Sequence, residues 1–130
     1  MSRAAATLTL AALMAMPTHL LAQEDVERTV VRTIEGRATF YGPGYNGRPL
    51  GCGGIYWASD PTIVAVGPAH YGTIPCGTAL RISGPAATIV AVRQDSCPGC
   101  SATTFDLSDG ANALVCGWTY TCMVTVEVLR

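Results

Sequence analysis

Two aspartates stand where a charge is unusual. Asp95 closes the apolar run A-T-I-V-A-V-R-Q-D and opens D-S-C-P-G-C, and Asp106 lies eleven residues further on, between Phe105 and Leu107. A carboxylate flanked by an aromatic ring and a leucine loses water, and a second carboxylate nearby repels it; both raise its pKa toward the range of a general acid. The same residues allow a structural reading, in which Asp106 caps the following turn and Asp95 accepts hydrogen bonds from the C-P-G-C loop. His70, in the loop G-P-A-H-Y-G, is the one histidine beyond the N-terminal segment. Tyr41, Tyr45, Tyr56, Trp57 and Tyr71 fall in or beside glycine-rich loops. Such rings can pack on the apolar faces of sugars and bond hydroxyls with their polar tips, or they can simply shield loop backbone.

The elements that must position these residues are short. Arg37–Tyr41 alternates as a strand, Thr62–Val66 is a β-branched run, and Ala79–Ser83 alternates again. Ala87–Arg93 gives the strongest strand pattern, Phe105–Leu107 a short one, and Met123–Leu129 a final one. Ile55–Trp57 reads as a short strand or a loop wall. Ser108 is a suitable N-cap for a short helix over Asp109–Val115, with Asp109 in the first turn where the dipole favours an acid. Closely spaced short strands with one or two short helices predict an all-β barrel.

The chain has 130 residues, room for one domain. Residues 1–22 read as a secretory signal peptide: Arg3, then an apolar stretch to Met16 too short to span a bilayer, then Ala22. Residues 23–35 read as a flexible leader, and 36–130 as the domain. Cys52, Cys76, Cys97, Cys100, Cys116 and Cys122 all lie in that domain, and an even number of cysteines behind a signal peptide implies disulfides in an extracellular or periplasmic setting. A zinc ribbon would need a second ligand pair at a spacing that Cys116 and Cys122 do not have. The C-P-G-C run lacks the helix start of a redox motif. Every basic residue is arginine, and the formal net charge is −1. That balance excludes a basic field for nucleic acid and a polybasic membrane patch; a neutral polysaccharide is the natural partner class. No metal and no cofactor is expected, and the protein is expected to act as a monomer.

The run G-R-A-T-F-Y-G-P-G-Y-N-G-R resembles the opening of double-psi β-barrel domains of the rare-lipoprotein-A and expansin types, and D-S-C-P-G-C…F-D-L-S resembles the expansin signature. The likeness extends over about Gly36 to Leu129 and is closest in style to single-domain, loosenin-like proteins. It implies a six-stranded double-psi barrel with an open groove for a β-1,4-linked cell-wall glycan, cellulose- or chitin-like or peptidoglycan. Asp106 would match the family's essential acid and Asp95 its partner, with Thr39 and Tyr41 on the groove floor. Inverting hydrolases of this family draw a base from the first strand; here that stretch is A-T-F-Y-G, with Gly42 near the base's place. The resemblance therefore implies wall loosening without hydrolysis. A lytic transglycosylase on peptidoglycan is the alternative, since A-H-Y-G-T-I-P-C-G-T and V-R-Q-D resemble the rare-lipoprotein-A pattern and would bring His70 and Asp95 into the chemistry. A barwin-like binding or defence module without turnover is a third reading. Fifteen cysteine pairings are possible. The resemblance favours Cys52–Cys76; Cys116–Cys122 would close the turn into the last strand, leaving Cys97–Cys100.

Overall fold

The computed structural model describes residues 28–117 and 120–130. The signal-peptide reading of residues 1–22 and the leader reading of 23–27 fall outside them. Six strands form the fold: β1 (Val30–Tyr41), β2 (Ile63–Val66), β3 (Ala79–Ser83), β4 (Thr88–Ser96), β5 (Thr104–Ser108) and β6 (Cys122–Leu129), with α1 (Asp109–Cys116) between the last two. They close into a barrel in the order β1-β5-β2-β4-β3-β6. The pairs β1–β5 and β2–β4 are parallel and the others antiparallel. Strands β1 and β2, and β4 and β5, follow each other in sequence but are not neighbours in the barrel, so the connections after β1 and β4 leave the sheet, and these become the walls of the site.

Alternation along the strands decides what faces inward. Val64, Val66, Leu80, Ile82, Phe105 and Leu107 are fully buried and fill the barrel. A second, smaller cluster of Leu50, Tyr56, Ala58 and Ile63 packs outside the sheet, beneath the connection that follows β1. Ser108 caps α1 as its sequence suggests, accepting from the Ala111 N–H at 3.2 Å, and Gly117 ends the helix at φ +69°. The six cysteines form Cys52–Cys76, Cys97–Cys100 and Cys116–Cys122. Sulfurs joined in this way are not available as thiolate ligands for a metal.

One boundary differs from the sequence reading. Residues 30–35, assigned there to the leader, are the first half of β1, and the strand starts seven residues before Arg37. The cause is tertiary. This half pairs antiparallel with β6 from Val30↔Leu129 to Gly36↔Val124, and Thr29 and Arg130 exchange backbone hydrogen bonds beyond it. Gly36 also has to be glycine here, because a Cβ would meet the Thr103 carbonyl oxygen at 2.2 Å.

Candidate functional site

The strand order sets one row of residues across four neighbouring strands. Thr39 on β1 is opposite Asp106 on β5, Asp106 is opposite Ala65 on β2, and Ala65 is opposite Asp95 on β4. Thr39, Asp106 and Ala65 face outward, since their sequence neighbours Ala38, Phe105, Leu107, Val64 and Val66 point into the core, and Asp95 lines the same groove. Two strand spacings therefore separate the aspartates, roughly 9–10 Å between Cα atoms, with only the methyl group of Ala65 between them. The row floors a groove of about 230 Å³ lined by Tyr41, Tyr45, Ala65, Asp95, Cys97 and Asp106 among others.

The two carboxylates are treated differently. Asp106 accepts one hydrogen bond, from Thr39 Oγ1 at 2.7 Å. Burial raises its pKa above the ordinary 3.8; the Thr39 bond opposes this and the Asp95 charge adds to it. Asp95 accepts from Tyr41 Oη at 3.1 Å, from the Gly51 N–H at 2.7 Å and from the Ser96 N–H at 2.9 Å. Three of its roughly four acceptor positions are therefore filled. Burial, and then the neighbouring Asp95, push the Tyr41 hydroxyl well above the usual phenol range, so Tyr41 serves as a donor. Gly51 approaches so closely that a Cβ would come within 3.1 Å of Asp95 Oδ1 and Ser96 Oγ. The outcome is one carboxyl group of raised pKa and one carboxylate fixed in place beside it.

The aromatic residues divide between contact and support. Tyr45 is 48% exposed and meets Tyr41 edge-on at 5.8 Å, with the Arg48 guanidinium over its ring at 5.1 Å. Tyr56 was expected to touch substrate, but it is only 1% exposed. It stacks beneath Tyr41 at 4.1 Å and donates its hydroxyl to the Tyr41 carbonyl. Its hydroxyl satisfies a strand-end carbonyl, which draws the ring into the outer cluster. Trp57 and Tyr71 are exposed, but they do not line this groove.

His70 is not brought to the aspartates either. A short 3-10 turn over Pro68–His70 tucks its ring against Phe105, with centroids 5.6 Å apart, and leaves the side chain buried. Arg32 Nη2 can only donate, so His70 Nδ1 accepts from it at 2.7 Å, while Nε2 faces the Ala102 carbonyl at 2.5 Å and donates. Both ring nitrogens are thus spent on joining β1 to the approach of β5. Sequence reasoning missed Gly51, Ala65 and Ser96. None of these types signals chemistry, and only the register reveals them. A larger cleft of about 410 Å³ between Arg28, Val31, Val128 and Arg130 is lined by no acidic side chain.

No family model and no curated protein matches the chain. Solved structures do. The apo expansin of Clavibacter michiganensis aligns at 29% identity with a TM-score of 0.65, over 76% of this chain and 51% of that one. A point mutant of the same expansin in complex with cellohexaose aligns at 27% identity and 0.63, with the same coverage. The Streptomyces papain inhibitor aligns at 25% identity and 0.64, over 78% of this chain and 97% of that one. The chain thus spans about half the length of the expansin and nearly all of the inhibitor. With its closed barrel of six strands in mixed directions, the chain is similar in fold to these expansin and papain-inhibitor structures and has the architecture of a six-stranded double-psi β-barrel.

Proposed function

We propose that this chain binds a β-1,4-linked cell-wall glycan along the Tyr45–Asp106–Asp95 groove and loosens it without hydrolysis, as a secreted, loosenin-like protein. The observation that carries this reading is the row Thr39–Asp106–Ala65–Asp95. It offers one proton donor of raised pKa on an open floor, with an exposed tyrosine beside it. The cellohexaose complex of the related expansin supports a β-glucan as the ligand class. Asp106 would protonate or hydrogen-bond a glycosidic oxygen, and Asp95 would hold Tyr41 and raise the acidity threshold of Asp106. Inverting hydrolysis needs a second carboxylate free to activate water. Asp95 is the other carboxylate of the groove, and three donors already occupy it. A lytic reaction through His70 finds no support in a buried ring with both nitrogens bonded.

The test is to incubate the purified protein with cellulose, chitin and peptidoglycan, then to follow retention on each solid and released fragments by mass spectrometry. Retention and weakening of filter paper with no released products is the expected result, and Asp106→Asn should abolish the weakening. Anhydro-muropeptides would overturn it in favour of lytic chemistry. The near-complete overlap with the papain inhibitor favours a second reading, a module that binds a protein without turnover. Inhibition of papain by both wild type and Asp106→Asn, with no retention on any glycan, would establish that reading instead.

A further inference from the structure

Asp95 reaches the groove through an irregularity in β4. Along that strand Ile89, Ala91 and Arg93 point inward, so strict alternation would send Asp95 inward as well. Its register against β2 breaks at this point. Val64 is opposite Arg93 but Ala65 is opposite Asp95, and Gln94 has no partner. This one-residue bulge returns Asp95 to the outer face. Bulges are uncommon in parallel pairs and re-aim side chains beside functional sites, so what holds this one matters.

Arg93 is placed to hold it. The side chain is 6% exposed. Its Nε donates to the Asp95 carbonyl at 3.1 Å, its Nη2 to Ser96 Oγ at 2.9 Å and its Nη1 to Cys76 Sγ at 3.0 Å. The guanidinium lies over the Tyr71 ring at 5.5 Å. None of these bonds goes to a carboxylate; two of them go to the residues directly after the bulge. The opposite side of the bulge is held by the loop of the Cys52–Cys76 disulfide, where the Cys52 N–H donates to the Gln94 carbonyl and the Gly51 N–H to the Asp95 carboxylate. Gln94 itself turns away and bonds the Thr62 carbonyl and hydroxyl.

We propose that Arg93 is a positioning residue for the groove: its forked guanidinium locks the β4 bulge and so turns Asp95 toward Tyr41, Gly51 and the glycan. A lysine has the charge but not the fork. The inference rests on the functional reading above for its consequence, but not for its geometry.

The experiment follows the amide resonances of Gly51 and Ser96 in the full disulfide-bonded chain, because both N–H groups point at the Asp95 carboxylate. Arg93→Met should move both resonances as Asp95→Asn moves them, and should weaken cellohexaose binding about tenfold. Ile89→Ala, a core truncation in the same strand, should lower stability and leave both amides in place. Where Arg93→Met does not fold, Arg93→Lys is read by the same resonances, with a displacement again expected. A folded Arg93 variant with Gly51 and Ser96 at their wild-type positions overturns the proposal. A wild-type protein that binds no glycan overturns the functional reading alone, since the amides still decide the role of Arg93.

Discussion

Asp106 and Asp95 share a face of one sheet, and their immediate partners give them different work. The pKa of Asp106 lies above 3.8 in the folded chain because the site is dry and negative. As pH rises, the unfolded chain therefore releases this proton first. Through the window between 3.8 and the folded value the native state holds more protons, so this group lowers stability as pH rises and the loss persists at neutrality. Asp106→Asn should accordingly unfold at a higher temperature than wild type near neutral pH, with the gap closing below about pH 3; thermal unfolding across pH checks it. Thr39 contributes the opposing effect through its hydrogen bond. Thr39→Val should raise the Asp106 pKa further, read as an upward shift of its side-chain carboxyl titration by carbon NMR. The partial burial of Asp106 and the upward push on its pKa were legible in the sequence from its apolar neighbours. The burial of Tyr56 and His70 was not, because each is set by a partner more than ten residues away, the Tyr41 carbonyl and Arg32 respectively.

At the level of strands, alternation carried most of what could be read. The sequence pattern marks Ala79–Ser83 as β3, and the structure has the same bounds. The first half of β1 was illegible because Arg32 and Glu35 make it look like solvated leader, and only pairing with β6 orders it. The β4 bulge was illegible for a different reason: period-2 alternation predicts the wrong face for Asp95, and the register against β2 corrects it. Ala65 gains its meaning the same way, as the small residue that keeps the floor open between the aspartates. Ala65→Leu should fill that gap and lower glycan retention at least tenfold while the barrel stays folded, measured by pull-down beside near-UV circular dichroism. Phe105 supports the row from inside, fully buried under Asp106 and against His70. Phe105→Ala should cost about 3–5 kcal/mol in denaturant unfolding, from lost burial and the cavity left behind.

For the molecule as a whole, the disulfides differ in what they restrain. Cys52–Cys76 closes a sequence separation of 24, and Cys97–Cys100 one of 3. Loop entropy assigns about 3 kcal/mol to the first and nearer 2 to the second. Replacing Cys52 and Cys76 by serine should therefore lower stability more than replacing Cys97 and Cys100. It should also weaken glycan retention, because it frees the loop that carries Gly51; urea unfolding and pull-down of both variants test this. The strand order has one more consequence, and it concerns time. Thr39 meets Asp106 across 67 positions of chain, and Glu35 meets Thr125 across 90. Contacts this remote must close large loops before they return any energy, which places such folds in the millisecond-to-second range. A chain that extends only as far as β4 already contains Asp95 and Tyr41, yet it lacks Asp106 and so has no β5 neighbour for Thr39. The groove is therefore among the last features the protein acquires, and it forms together with the barrel that carries it.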